Sequence, residues 1–402
     1  MNSQVTIIGG GVTGALLTLL LGKAGISVNL IDRGRPSIQP GDLHTGRTAS
    51  LNLFSIETFR NAGIWNLIEP KAKLFDEIVV WDSEGSSSVN FKGAEISRSE
   101  LGYIVHNNVI LNALYSELAG IEEINIIENE SVNSLNFDEQ RVLVVTEAGK
   151  EFSSDLLVGA DGSFSKVRDL SKISIRSWSY DQIALVSSVR TEVSLGNTAY
   201  QIFTDTGPIA LLPLPGTNKA SLIWSTDKEY GNKLLNLDEA DLLEELKLKC
   251  ESRFGNINLC EKVINFPLHQ LHAKNFSKNR TILIGDSAHT IHPLAGQGLN
   301  LGIADVSEIS NLMISAKRNH EDWNDPKIIK RYAKKRQPES YKMVALMEAF
   351  KRGFGSKNLW LKLGRNLAFD FADKNLLLKK RLIKEAAGIT EFLIRYKLRA
   401  YE

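Results

Sequence analysis

VTIIGGGVTGALLTLLLGKAGISVNLIDR, residues 5–33, is the stretch on which the reading of this chain turns. Its first four residues are a β-branched apolar run, the pattern of a strand buried on both faces. A glycine cluster follows, then an apolar stretch of helical length ending at Gly25, a residue suited to the left-handed position after a helix. SVNLIDR is a second strand. Strand, glycine turn, helix and strand within about 30 residues match one parallel βαβ crossover. Gly9, Gly11 and Gly14 stand at G-x-G-x-x-G spacing around Val12 and Thr13. Gly9 permits the turn, Gly11 lets the backbone approach a pyrophosphate, and Gly14 lets helix and strand pack closely. The helix N-terminus faces the phosphate charge. Asp32, followed by Arg33, ends the next strand, where a carboxylate suits ribose hydroxyls and disfavours a 2′-phosphate. The spacing alone would also suit a structural turn; the flanking strand and helix make it a dinucleotide site.

Two further stretches resemble cofactor turns. LLVGADGSFSKVRDL, residues 156–170, places Asp161-Gly162 at a strand end, before Ser165 and Arg168. TILIGDSAHTIHPLAGQGLNLG, residues 281–302, runs from a strand through Gly285-Asp286 into a proline–glycine loop and a helix. Its His289 and His292 suggest a metal, but H-x-x-H without a matched acidic or cysteine set is a poor ligand count, so the reading is metal: none. An aspartate at a strand end suits ribityl or ribose hydroxyls, and Gly296, Gln297 and Gly298 before a helix point backbone N–H groups at negative charge.

At 402 residues, with 43% hydrophobic and 24% charged residues, the chain is long enough for two cores and has the composition of a folded soluble protein. Two cysteines, Cys250 and Cys260, exclude a disulfide scaffold and point to a reducing, cytoplasmic setting. No secretory leader is read at the N-terminus, and no apolar run reaches the roughly 18 residues of a spanning helix. Net charge is +1, yet residues 327–402 hold 20 Lys+Arg against 7 Asp+Glu. That asymmetry makes a basic C-terminal face, a solvated helical surface or one that meets anionic lipid or an acidic partner.

The expected fold class is α/β. It comprises a discontinuous Rossmann-like dinucleotide-binding domain (1–76, 100–175 and 267–325), a mainly antiparallel β-sheet substrate domain (77–99 and 176–266) and a C-terminal helical region (326–402). Alternating runs such as ALVSSVRTEV and KASLIWST predict the antiparallel strands. LWLKLGRNLAFDFADKNLLLKKRLIKEAAG, residues 359–388, is the clearest amphipathic stretch.

Together the three motifs, in this order, resemble those of the class A FAD-dependent aromatic monooxygenases with the para-hydroxybenzoate-hydroxylase fold. GDSAHTIHPLAGQGLNLG, GRTASLN, YIVHNNVILNAL, QIFTDTGPIALLPLP and SLIWS are closest to the ubiquinone-biosynthesis hydroxylases, and the likeness runs nearly the full length. It implies the following placements. Gly9, Gly11 and Gly14 face the FAD pyrophosphate, Asp32 holds the adenosine ribose, and Arg47 reaches the phosphates. Asn107 lies near the cofactor, and Val132, at the end of a predicted strand, lies near the adenine. Asp161 supports the pyrophosphate and transient NAD(P)H. Asp286 holds the ribityl chain, and Pro293, Gly296, Gln297, Gly298, Leu299 and Asn300 border the isoalloxazine. His106 departs from the pattern, where relatives often carry glutamate.

The implied activity is hydroxylation of the aromatic ring of a polyprenylphenol in ubiquinone biosynthesis. NAD(P)H or another source of electrons and O2 would act through a flavin C4a-hydroperoxide. Implied partners are the lipid-borne substrate, a quinone-synthesis multi-protein assembly and a peripheral membrane contact on the inner face, with no nucleic acid. Rival readings are a hydroxylase of a small soluble aromatic compound and a non-catalytic prenyl-binding subunit. A flavin halogenase would carry W-x-W-x-I-P, which is absent. No general base is named; the strands around Gln201–Phe203 and Leu211–Leu214 are candidates for the pocket wall.

Overall fold

In the computed structural model, residues 2–34, 46–83, 88–291, 297–354 and 375–389 are described. The strand Asn2–Ile8 lies at the centre of a parallel sheet, between Val28–Ile31 and Glu151–Gly159. Ile124–Ile127 and Thr281–Leu283 extend it on either side, also in parallel. Val5, Ile7, Leu30, Leu157 and Ile282 are fully or almost fully buried, as expected of strands covered on both faces. The helix Val12–Lys23 returns the chain between the first two strands and packs against the helices Asn107–Leu118 and Gln297–Arg318. Gly25, in the left-handed region at φ 73°, follows its end as expected. Glu151–Gly159 also pairs antiparallel with Val142–Thr146, which pairs with Val132–Phe137.

A second, nine-stranded sheet is built on the strand Ile175–Thr191. Thr198–Thr204, Gly207–Pro213 and Lys219–Asp227 form its antiparallel middle, and Glu77–Asp82 with Ser88–Lys92 complete one edge. At the opposite edge, His289–Thr290 of the third glycine motif pairs with Ile264–Ala273. The motif that resembles a cofactor loop is therefore hydrogen-bonded into this sheet. A small sheet of Thr48–Asn52, Lys73–Phe75 and Gly102–His106 stands beside it.

Strand alternation divides the large sheet into two faces. Ile183, Leu185, Ile202, Leu211, Leu222 and Trp224 form a closed core on one of them. The other carries Ala184, Val186, Phe203 and Leu214, and Ser221 on this face meets the Thr48 hydroxyl at 2.7 Å. This corrects the pocket-wall expectation residue by residue. Ile202 and Leu211 belong to the closed core, because alternate residues of one strand must point opposite ways.

The helix Pro326–Phe354, with Pro338 inside it, packs on Gln297–Arg318. Its Tyr332 hydroxyl donates to the Leu283 carbonyl at 2.8 Å, so this helix caps the parallel sheet. Of the amphipathic stretch 359–388, the part from residue 375 onward is described, and it holds the helix Leu376–Ala386. There Ile383 and Ala387 turn inward against Phe75, Ile104 and Leu214, while Leu377, Arg381 and Lys384 are exposed. In the described part, Ile383 and Ala387 are covered by the chain itself. Among the described residues, no helix is long and apolar enough to cross a membrane.

Candidate cofactor site

The three motifs converge where the parallel strands end. At the first, Gly9 adopts φ +107°, and a Cβ there would stand 2.3 Å from the Ala160 carbonyl oxygen, beside Asp161 of the second motif. A Cβ at Gly14 would stand 1.9 Å from the Gly9 carbonyl oxygen, so the helix reaches the turn only because the side chain is missing. Gly11 differs: nothing lies within 4 Å of where its Cβ would be, and no side chain caps the helix that it opens. Open space beside uncapped N–H groups suits a diphosphate. Asp32 spans the turn, its carboxylate accepting from the Gly10 amide at 2.6 Å and from the Gly34 amide at 2.9 Å. The exposed Arg33 lies beside it.

Thr13 joins the first motif to the third. Its side chain fills the space where a Cβ at Gly285 or Gly302 would stand, at 3.1 and 2.7 Å. The buried Arg168 joins the second motif to the third, donating to the carbonyls of Ser163 at 3.0 Å and Ser287 at 3.2 Å. The Ser287 hydroxyl donates to the Gly159 carbonyl at 2.6 Å. Asp161 turns inward, accepting from the Ser165 hydroxyl and from the Val167 amide at 3.1 Å. Burial pushes its carboxyl above the ordinary aspartate value against those bonds. Its side chain is thus a strut of the second motif.

Asp286 reaches solvent, yet the surrounding protein raises its carboxyl above the usual range, while His289, Arg47 and His269 pull the other way. The Arg47 guanidinium stacks 3.7 Å from the centre of the Phe266 ring. Burial lowers its pKa and the charge of nearby Asp286 opposes the shift.

Behind Asp286 lies a buried network that no local motif announces. His289 Nε2 meets Asp305 Oδ2 at 2.6 Å, the Gly285 amide donates to the same oxygen at 3.0 Å, and Arg336 Nε donates to Oδ1 at 2.8 Å. Burial would raise the Asp305 carboxyl, but His289 and Arg336 outweigh it and hold it below the ordinary value. His289 therefore braces the loop. Among the described residues, no group of three or more His, Cys, Asp or Glu is placed to hold a metal.

The helix Gln297–Arg318 begins beside this network. Gly298 has open surroundings, and Leu299 packs on the core of the parallel sheet. The Asn300 side chain is committed within the protein: it accepts from the Asn52 amide at 3.1 Å and the Ser55 hydroxyl at 2.7 Å, and donates to the Ser50 carbonyl at 2.7 Å. What it can offer a ligand is backbone. His292, Pro293 and Gly296 lie outside the described residues, as does the Gln297 side chain.

Asn107 opens its helix and donates its amide to the Arg47 carbonyl at 2.9 Å. Val132 is buried and begins the strand Val132–Phe137, whereas a strand end was expected. The chain first passes through Ile124–Ile127, a parallel strand whose short apolar run the sequence reading had not separated. Asp305, Arg336 and Asn52 were missed as supports. Arg168 and Ser165 had a weak signal in their place after Asp-Gly; Asp305 and Arg336 sit in ordinary helical sequence.

An open glycine turn with uncapped amides, a carboxylate at the next strand's end and a second, exposed carboxylate near Arg47 fit a flavin dinucleotide. Residues 2–346 match a family described as FAD binding domain, and the chain belongs to it as an FAD-dependent monooxygenase. Among curated relatives, the 3-demethoxyubiquinol 3-hydroxylase of Escherichia coli (strain K12) is 31% identical over 389 residues, 96% of this chain and 99% of that protein. The ubiquinone hydroxylase UbiL of Rhodospirillum rubrum is 28% identical, covering 96% of this chain and 90% of its own. Among solved structures, p-nitrophenol 4-monooxygenase PnpA of Pseudomonas putida DLL-E4 superposes with a TM-score of 0.80 at 18% identity, over 96% of this chain and 98% of that one, and shows the shared fold.

Proposed function

We propose that this enzyme hydroxylates the aromatic ring of a polyprenylphenol intermediate in ubiquinone synthesis, with NAD(P)H as electron donor and O2 as co-substrate. The observation that carries the reading is the near end-to-end match to a ubiquinol-ring hydroxylase at 31% identity. FAD, when bound, supplies the redox chemistry that moves an oxygen atom from O2 to an electron-rich ring. The chain's own residues bind and orient. Gly9, Gly11 and Gly14 with the helix behind them would take the pyrophosphate, and Asp32 the adenosine ribose. Asp286 would take the ribityl hydroxyls. The amides at the start of Gln297–Arg318 would offer positive helix-dipole charge to a bound flavin. On the sheet face that meets Thr48 and Arg47, Ala184, Ala210 and Ser221 are small, while Val186, Phe203 and Ile223 are apolar. A wall of that kind admits a substituted ring and keeps water out.

Comparison of quinone lipids in a deletion strain and its parent tests the reading: a precursor lacking one ring hydroxyl should accumulate. Unchanged quinone with no precursor would overturn it, as would turnover of 4-hydroxybenzoate-like acids with none of prenylphenols. The basic C-terminal region is proposed to meet an anionic membrane surface from the cytoplasmic side, because Arg381 and Lys384 face outward. Truncation near residue 380 would also remove Ile383 and Ala387 from their apolar seat. Arg381→Glu with Lys384→Glu is the cleaner test, and flotation with vesicles containing anionic lipid should drop. Undiminished flotation would exclude this surface.

A further inference from the structure

The contacts of residues 375–389 lead back to the cofactor site by a short path. Lys379, 7% exposed, pairs with Glu95 at 2.8 Å. Ile383, Ala387 and Ile389 share one apolar cluster with Phe75, Leu101 and Ile104 on one side and with Ala199 and Leu214 of the large sheet on the other. The helix thus bridges the two halves of the molecule. At its end the Leu53 amide donates to the Ala387 carbonyl at 3.1 Å. Gly388 follows at φ +70°, where a Cβ would stand 2.7 Å from Asn52 Nδ2 and 3.0 Å from Phe54 Cβ.

Asn52 is the relay. Its side chain caps the helix Leu53–Ala62 by accepting from the Ser55 amide at 2.9 Å, and its own amide donates to Asn300 Oδ1. Asn300 lies in the first turn of Gln297–Arg318, the turn whose amides would meet the proposed flavin. Three side-chain bonds hold it to Ser50, Asn52 and Ser55, so a shift of residues 50–55 carries that turn with it. Buried and hydrogen-bonded, these groups have no alternative partners at low cost.

We propose that the C-terminal helix is a positioning element of the flavin site: docked through Lys379–Glu95 and Ile383, it sets Asn52, and through Asn300 the first turn of Gln297–Arg318. The inference rests on FAD occupying the site described above. In the full-length chain, Lys379→Glu and Ile383→Asp should undock the helix, seen as new protease cleavage within 375–389. FAD should then bind about tenfold more weakly, with a shifted flavin absorbance band. The pair Lys379→Glu with Glu95→Lys should recover both signals, whereas Leu377→Asp, on the exposed side, should leave them as in the parent. The proposal is overturned if the helix becomes cleavable while FAD affinity and spectrum stay at parental values, or if the swapped pair regains thermal stability without regaining them. A parent chain that binds no FAD would sink the underlying cofactor reading instead.

Discussion

The first and third glycine motifs border one site, and the third adds to missing side chains a device that the first lacks. At residues 9–14 the backbone geometry follows from side chains that are missing: Gly9 and Gly14 stand where any Cβ would collide with a main-chain oxygen. At residues 285–289 it follows from side chains that are present and buried: Asp305 gathers His289, Arg336 and the Gly285 amide. Steric exclusion is local and hard, so it leaves a signature in a six-residue window. A buried charge network recruits partners from anywhere in the chain, and its strength depends on every member staying in place.

The sharpest way to break this comparison is at Gly14. Gly14→Val should destabilise the protein by about 4 kcal/mol or more, read by chemical denaturation, and purification should yield colourless protein. A stable, yellow Gly14→Val would remove the steric account. At the third motif, Asp305→Ala removes the buried carboxylate that His289, Arg336 and the Gly285 amide share, and should cost roughly 3–5 kcal/mol. Adding Arg336→Met should restore part of it, and strict additivity in the double variant would argue against the network.

A pH series probes the same neighbourhood. His272 is buried, stacked on Tyr341 with ring centroids 3.8 Å apart, and pushed down to about 4 by burial first and the His289 charge second. The unfolded chain takes up this proton near pH 6.5, while the folded chain does so only near 4. The neutral ring's contribution is therefore complete above about pH 6.5 and is lost as pH falls toward 4, by roughly 3 kcal/mol. Denaturation midpoints across that window should fall in the parent, and the fall should be shallower in His272→Phe. An equal slope in both would rule the assignment out.

The smallest effect on folding is expected at Gly11. With nothing near its Cβ position and φ −67°, Gly11→Ala should alter apoprotein stability by no more than about 0.5 kcal/mol. FAD affinity should nevertheless fall about tenfold, because the methyl enters the space left for the diphosphate. Titration of the apoprotein with FAD separates Gly11 from its two neighbours. Equal affinity would mean that the turn does not approach the cofactor.

Much of this was open to reading from residues in order. The crossover at 5–33, the strand-end aspartates and the alternating strands of 184–227 all depend on neighbours one to four positions away, and such periodicities survive in any fold that buries them. The pocket face was less accessible. Ile202 and Phe203 are adjacent and equally apolar, and their opposite destinations follow from which face of the sheet meets Thr48 and Arg47. The C-terminal helix is the clearest divergence. An apolar stripe is compatible with lipid, a partner or the chain's own surface, and tertiary packing seats Ile383 and Ala387 of it against Phe75 and Ile104. Amphipathicity says that a face will be covered; what covers it is settled by distances through space, and those join Asn52 to Asn300 and Asp305 to Arg336 across stretches of sequence that carry no mark of the contact.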